Sequence, residues 1–339
     1  MHEQQLHELR REKWRLNGRP LRTLDDAREF MDLVGFSLLY PQRPAVLLPT
    51  FIGAYKGGDD NLPTAQMAFA DSDARSAKEL MVRLLREKST FEANVFPDNN
   101  FILSAAVFPF FYALVGDRNA RQAPKAGPRS EYSPLAVHAF EHIAKKGPIS
   151  KYHLRELLGG DISEAALDRA LDELWARLRI TRVDYKPDEG VFWDVLFRWA
   201  PEAVKEGCEV PVSGALTALV SKYLDCVAAV SQEELEQFFS HFVGRARVRE
   251  AVNALQAARE IGFVHVGGRV MLHSASLQVP PAPEFSPKPK FQPLPPRPGL
   301  PLVEKRRTAA SRARSVWPRR SQATKPSNPA PPRGNTGTE

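Results

Sequence analysis

The sequence is poor in cysteine: its 339 residues contain only Cys208 and Cys226. Two thiols cannot build a disulfide framework, and at this spacing they do not form a zinc site of thiolate ligands. Disulfide-stabilised secreted proteins are therefore excluded as a class. The composition fits a protein of a reducing compartment.

The sequence also lacks a long apolar run. The longest uncharged stretch, residues 99–116, contains the apolar run FILSAAVFPFFYALV, which covers residues 101–115 and is interrupted by Pro109. A bilayer-spanning helix needs about 20 apolar residues, so we expect no membrane association. The first residues, MHEQQLHELRREKWR, are charged and do not resemble a secretion signal. We expect a cytoplasmic protein, associated with the nucleoid if its source is bacterial.

Acidic residues are scarce only in the last part of the chain. The formal net charge is +7, but residues 280–339 contain twelve Lys and Arg against three Asp and Glu. Fifteen of the 29 prolines lie there as well. This composition predicts a disordered, proline-rich basic tail that gives salt-sensitive affinity for nucleic acid. The rest of the chain is nearly neutral and must concentrate its basic residues locally to bind phosphate.

The remaining sequence predicts a mainly α-helical protein with small β-hairpins, an α+β fold of tandem winged helix-turn-helix units. In two places three helical segments precede a strand pair. The first pair, ITRVDY and VFWDVLF, is joined by the turn residues of KPDEG, and the second, GFVHV and RVMLH, by two glycines. Capping residues at Thr23, Ser163 and Ser231 predict helix starts. The run SGALTALVSKYLDCVAAV, residues 213–230, is interpreted as one helix.

These patterns divide the chain into six segments. They are a basic N-terminal arm and helix (1–22), a first winged-helix-like unit (23–120), a linker (121–132), a second winged-helix unit (133–204), a third winged-helix unit (212–275) and the tail (280–339).

The third helix of a winged-helix unit is the element that enters the major groove of DNA. In the second unit this helix carries four acidic residues (Glu164, Asp168, Asp172, Glu173) against Arg169 and Arg177, which predicts a solvated or domain-packing face. In the third unit it begins with Arg245, Arg247 and Arg249, which suits phosphate and base-edge contacts, although a solvated basic turn is the alternative. The other candidate DNA-binding residues are Arg269 on the hairpin and Arg11, Arg15, Arg19 and Arg22 in the arm.

The stretch HAFEH, from His138 to His142, has the spacing of a zinc-binding H-x-x-E-H helix. A helix phased with Ala136, Phe140 and Ile143 toward the core turns both histidines to the opposite face, away from any cleft. No third ligand is evident, and the sequence has no glycine-rich phosphate loop or nucleophile elbow. We therefore expect no metal and no other cofactor.

Two stretches of the first unit resemble the AlkZ-like (YcaQ-type) crosslink-repair DNA glycosylase family. They are TLDDAREFMDLVGF, residues 23–36, and STFEANVFPDNNFILSAAVFPFFYAL, residues 89–114. Together with the tandem winged-helix order, the resemblance covers residues 23–275. It implies three winged helices around a DNA channel and excision of alkylated or crosslinked bases by hydrolysis of the N-glycosidic bond.

The same resemblance implies a catalytic Gln-x-Gln or Gln-x-Asp motif directly after the first-unit helix, where polar groups position the attacking water. Here Leu38, Leu39 and Tyr40 stand in that place. Gln42 is the one nearby amide and is our candidate for positioning water. Among the nearby acids, Glu92 is a further group that could serve.

Three functions therefore stay open from the sequence. The first is a DNA-binding protein of the glycosylase type that acts on damaged duplex DNA. The second is a non-catalytic winged-helix regulator or damage binder, which the missing motif favours. The third is a protein-interaction scaffold, which the acidic third helix of the second unit favours. The oligomeric state is not predicted.

Overall fold

The structure is a computed structural model that describes residues 1–96, 99–128 and 130–277. The predicted tail, 280–339, lies outside the described residues. The helices are α1 (Glu3–Lys13), α2 (Leu24–Val34), α3 (Phe51–Lys56), α4 (Ser72–Arg86), α5 (Phe108–Val115), α6 (Pro134–Lys146), α7 (Lys151–Leu157), α8 (Glu164–Ala176), α9 (Leu196–Trp199), α10 (Pro201–Glu209), α11 (Val212–Val227), α12 (Gln232–Phe239) and α13 (Arg245–Ala257).

The strands form three antiparallel sheets, each of three strands. The strands are β1 (Phe36–Leu38), β2 (Thr90–Phe96), β3 (Asn99–Ser104), β4 (Ile149–Ser150), β5 (Ile180–Lys186), β6 (Gly190–Val195), β7 (Ala229–Val230), β8 (Ile261–Val266) and β9 (Arg269–Ser274). The sheet orders are β1-β3-β2, β4-β6-β5 and β7-β9-β8. Each sheet thus places the last strand of a hairpin in its centre and a short earlier strand at one edge. The predicted α+β class is confirmed.

The glycine turn and the helix caps that the sequence predicted are confirmed. Gly267 and Gly268 have φ of 54° and 82° between β8 and β9, a conformation that glycine adopts without steric cost. The side chains of Thr23, Ser163 and Ser231 each accept a hydrogen bond from the backbone N–H three residues later. These bonds satisfy amide donors at the first turns of α2, α8 and α12.

The helix predicted over residues 213–230 is wrong at its end. α11 ends at Val227, Ala228 takes a left-handed φ of 65°, and the next two residues form β7. β7 pairs with β9, a partner more than 40 residues away along the chain. Its hydrogen bonds come from that distant strand, which local helix propensity does not reveal.

One large hydrophobic core runs through the described residues. Its aromatic centre joins β1 to the last helices: the ring of Phe36 lies 6.4 Å from Tyr223 and 6.3 Å from Phe238, measured between ring centroids. Tyr223 and Phe238 stack at 4.4 Å. Among the described residues, no helix has both the length and the apolar character needed to cross a membrane.

α1 packs on the third sheet rather than extending away from the fold. Leu6 is buried with Val264 and Val266 in a small separate cluster. Arg10 donates to the backbone oxygens of Val227 and Ala229, at 3.0 and 2.7 Å. Those carbonyls lie at the end of α11, where a cation is favoured by the helix dipole. The helical part of the predicted arm is therefore part of the folded body.

Candidate functional site

The segment in which the resemblance implies a Gln-x-Asp motif is mostly core. Phe36 and Leu38 belong to β1 and pair with Leu103 and Phe101 of β3. Leu38 and Leu39 are each only 1% exposed. Their interpretation as packing residues is confirmed, and neither can reach a substrate from this position.

Tyr40 and Gln42 follow β1 in a loop. Tyr40 is 7% exposed, and Gln42 is half-buried. Burial, with the nearby negative charges of Asp71 and Glu92, raises the pKa of Tyr40 to about 12. Tyr40 therefore keeps its proton at neutral pH, and a protonated hydroxyl can act as a hydrogen-bond donor. Because the charge of Glu92 contributes to the raised pKa of Tyr40, the two side chains lie close enough to interact electrostatically.

Glu92 lies on the polar face of the first sheet. The residues Ser37, Ile102 and Glu92 are in register across β1, β3 and β2. Because neighbouring side chains of a strand point to opposite faces, Phe91 and Ala93 turn the other way into the aromatic core. Glu92 is only 1% exposed. A buried carboxylate needs hydrogen-bonding or charged partners.

Those partners come from three elements. The Asn100 side-chain amide donates to Oε1 of Glu92. A guanidinium nitrogen of Arg182 on β5 lies 3.7 Å from Oε2. The indole of Trp175 on α8 donates to the backbone oxygen of Glu92 at 3.2 Å. The second sheet thus supplies a cation to the Glu92 carboxylate, and α8 supplies a donor to the backbone carbonyl of the same residue.

Two cations lie close to this carboxylate. The Arg182 guanidinium contacts two aromatic rings, at 4.1 Å from the centroid of Trp175 and 5.2 Å from that of Trp193. Lys78 on α4 places its ammonium 3.8 Å from the ring centroid of Tyr185. Burial lowers the pKa of Lys78; Glu92 opposes this shift and Arg182 adds to it.

We name these groups the Glu92 cluster: Tyr40, Lys78, Glu92, Asn100 and Arg182. It combines a carboxylate that can accept a proton, a hydroxyl that can donate one, and cations that can stabilise negative charge. Within the described ranges, no group of three or more potential metal-ligating side chains is found.

Sequence analysis identified Glu92 and Tyr40 but missed Lys78, Asn100 and Arg182. The alternation of apolar Phe91 and Ala93 with polar Glu92 could have predicted a strand with a polar face. That polar face packs against β5, about 90 residues later in the chain, and no local sequence pattern predicts this contact.

The acidic face of α8 packs in part against the first sheet. Of the two alternatives predicted from the sequence, a solvated face and a domain-packing face, this packing fits the second. Asp172 accepts a hydrogen bond from the Asn94 side chain of β2 at 2.9 Å. Glu173 accepts one from the backbone N–H of Ser133 at 2.7 Å. Burial raises the pKa of Asp172 despite the nearby charge of Arg182. These contacts fix α8 within the fold.

The basic residues of the third unit divide into engaged and exposed groups. Arg249 makes two 2.8 Å bonds to the buried Glu236 carboxylate, and they raise the pKa of Arg249. Arg245 and Arg247 at the start of α13 are exposed, as is Arg269 at the start of β9. No carboxylate lies within 4 Å of these three guanidiniums in the part of the chain that the structure describes.

The predicted arginines of the N-terminal arm divide in the same way. Arg11 pairs with Asp59 at 2.7 Å, and Arg15 pairs with Glu29 at 2.8 Å. Arg19 and Arg22 are exposed. Arg19 and Arg22 thus remain available to a ligand, whereas Arg11 and Arg15 also hold the loop and helix around them.

The HAFEH stretch forms part of α6 with the predicted phase. Ala136, Phe140 and Ile143 are buried, His138 is exposed, and His142 is half-buried. The interpretation of the stretch as an outer helix face is confirmed.

Comparison with known proteins identifies a family and a similar solved structure. A family model described as DNA glycosylase AlkZ-like matches residues 72–318. The chain is similar to the solved structure of the Streptomyces sahachiroi DNA glycosylase AlkZ, with 13% sequence identity and a TM-score of 0.54 over 81% of this chain and 70% of that one. No curated protein matches the chain. At this identity the structural likeness concerns the fold.

Proposed function

Because the chain belongs to the AlkZ-like DNA glycosylase family, we propose that it binds damaged duplex DNA through α13 and the β8–β9 hairpin. In this proposal Arg245, Arg247 and Arg269 contact phosphates. Arg19 and Arg22 add a second basic contact from the arm.

The observation that carries the proposal is the exposure of Arg245 and Arg247 on α13 and of Arg269 on β9, the second strand of the hairpin that follows α13. A helix start followed by a basic hairpin is the arrangement by which winged-helix proteins bind DNA. Arg249, four residues from Arg245, is already bound to Glu236. It serves the fold of the unit and is expected to contribute less to DNA affinity.

A salt titration of duplex binding tests this proposal with the double variant Arg245→Glu/Arg247→Glu. Loss of two phosphate contacts should weaken binding by at least tenfold. It should also reduce the slope of log K against log salt by about 2. The matched control is Arg83→Glu/Lys145→Glu, which reverses two exposed charges elsewhere. Equal affinities of the two double variants would reject the α13 interface, and salt-independent binding would favour a scaffold.

A second candidate function is excision of a base by hydrolysis, and the Glu92 cluster favours it. In place of the Gln-x-Asp motif that the resemblance implies, Glu92 and Tyr40 provide a proton acceptor and a donor on and near the first sheet. In this proposal Glu92 takes over the task of orienting the water. The buried position of Glu92 requires that DNA binding separate the first sheet from β5 far enough to admit the base.

An incision assay separates this candidate from a non-catalytic damage binder. Duplexes with an N7-methylguanine are incubated with protein in large excess, and abasic sites are then cleaved by alkali. Excision by the wild-type protein should be lost in Glu92→Gln and retained in Gln42→Ala. If the wild-type protein forms no abasic product, the excision proposal is rejected and only the DNA-binding proposal remains. Equal product from Glu92→Gln would remove Glu92 from the chemistry.

A further inference from the structure

A cavity of about 360 Å³ lies between α10 and the turn at residues 118–122. Its α10 wall consists of Pro201, Val204, Lys205 and Cys208, which share one face of that helix. Phe197 of α9 completes the apolar part of the lining. The volume is in the range of ligand sites. It lies outside the Glu92 cluster and the basic face of α13.

The charged residues that line this cavity are all cationic. Three of the ten described lining residues are cationic, namely Arg118, Arg121 and Lys205, and none is acidic. Arg121 and Lys205 are exposed and have no carboxylate within 4 Å in the described part of the chain. Arg118 donates to the backbone oxygens of Cys208 and Val210, which holds the turn against the end of α10.

The buried Arg179 holds the turn at residues 118–122 in place by binding its backbone carbonyls. Arg179 is 3% exposed and donates to the backbone oxygens of Asn119 and Gln122. Its charge is balanced by Asp117 at 3.4 Å, so the nearest carboxylate is directed to Arg179 rather than to the cavity. Two carbonyls of the turn are thus held inward and do not repel an anion.

The backbone donors of the turn are only partly used. Asn119 donates to the Asp117 side chain, and Gln122 donates to the Asn119 carbonyl. For the N–H groups of Arg118, Ala120 and Arg121, no acceptor is found within residues 1–96, 99–128 and 130–277. Unpaired N–H groups of a turn, together with cations, are the usual donors for phosphate oxygens.

We propose that this cavity binds a mononucleotide, with its phosphate at the 118–121 turn and Lys205 and its base against Phe197. The cations and free amides select the phosphate, and the apolar wall of Phe197, Pro201 and Val204 accepts a flat ring. The nucleotide is either free in solution or part of a DNA strand. The proposal goes beyond duplex binding by α13 and does not depend on it.

Calorimetric titration of the full chain with 2′-deoxyadenosine 5′-monophosphate tests the proposal. The nucleotide should bind about tenfold or more tightly than inorganic phosphate or deoxyadenosine, because each of these lacks one half of the contacts. The variant Arg121→Glu/Lys205→Glu should weaken nucleotide binding by at least tenfold, and Arg83→Glu/Lys145→Glu should not. Circular dichroism verifies that both variants are folded.

The proposal is overturned if the nucleotide does not bind at millimolar concentration, if it binds no better than phosphate, or if charge reversal leaves its affinity unchanged. A single-stranded oligonucleotide that displaces the bound nucleotide identifies a DNA strand as its source, and failure to displace it identifies the free nucleotide. The Arg245→Glu/Arg247→Glu variant should retain nucleotide binding. If that variant loses duplex affinity but still binds the nucleotide, the two proposals are tested independently of each other.

Discussion

Tyr40 stands where the resemblance described above implies an amide or a carboxylate. An amide or carboxylate there would accept a proton or orient a water, whereas a phenol with a pKa of about 12 stays protonated and donates. Together with the buried Leu38, it removes the expected acceptor pair. The remaining acceptor near this strand is Glu92, whose negative charge contributes to the raised pKa of Tyr40.

The first prediction concerns the titration of Tyr40. Since the pKa is higher in the folded than in the unfolded protein, the unfolded chain loses its proton first as pH rises. The free energy of unfolding should therefore be unaffected below pH 10 and fall between pH 10 and about 12. Tyr40→Phe should show a smaller fall. Urea unfolding at several pH values measures this, and Tyr55→Phe, a half-buried tyrosine on α3, is the control. Identical profiles for wild type and Tyr40→Phe would contradict the assignment.

The second prediction concerns the ion pair of Glu92 and Arg182. Arg182→Met leaves a buried carboxylate with one cation fewer, which should cost about 2–4 kcal/mol of unfolding free energy. Glu92→Gln/Arg182→Met should be more stable than the sum of the single losses predicts, with a coupling of about 1–2 kcal/mol. Chemical unfolding of all four proteins provides the double-mutant cycle. Additive losses would mean that the 3.7 Å contact carries no net energy.

At the scale of elements, the sequence predicted what depends on neighbouring residues. The glycine turn at Gly267 and Gly268, the Ser231 capping box and the phase of α6 need only local chemistry. It failed where a strand is defined by a distant partner, as in β7 after Ala228. The Glu92 cluster could not be predicted for the same reason, because its cations come from α4 and β5 and its carboxylate from β2.

The third prediction tests the packing of α1. Leu6 is 4% exposed in a cluster with Val264 and Val266 of β8. Leu6→Ala should cost about 2–4 kcal/mol of unfolding free energy, the usual range for a buried leucine. Leu33→Ala, at a leucine that is 49% exposed, should change it by less than about 1 kcal/mol. Equal effects in chemical unfolding would show that α1 does not dock on the third sheet.

At the scale of the whole molecule, the aromatic core connects parts that are far apart in sequence. Phe238 on α12 contacts Phe36 and Phe101 of the first sheet, with ring centroids 6.3 and 6.4 Å away. It stacks on Tyr223 of α11 at 4.4 Å. The described residues, 1–96, 99–128 and 130–277, accordingly form one compact unit. A contiguous core of this kind favours cooperative unfolding, even though the sequence divides into winged-helix-like segments.

The last prediction follows from that continuity. Phe238→Ala removes a ring that is 4% exposed and touches both the first sheet and α11, so it should cost about 3–5 kcal/mol. If the first sheet and the last helices unfold together, calorimetry should show a single transition at a lower temperature. Phe263→Ala, at a phenylalanine that is 59% exposed on β8, should leave the transition within a few degrees of wild type. Two separate transitions in Phe238→Ala would show that this ring, rather than the wider core, couples the two ends of the fold. A common shift in both variants would show that burial of Phe238 adds nothing to stability.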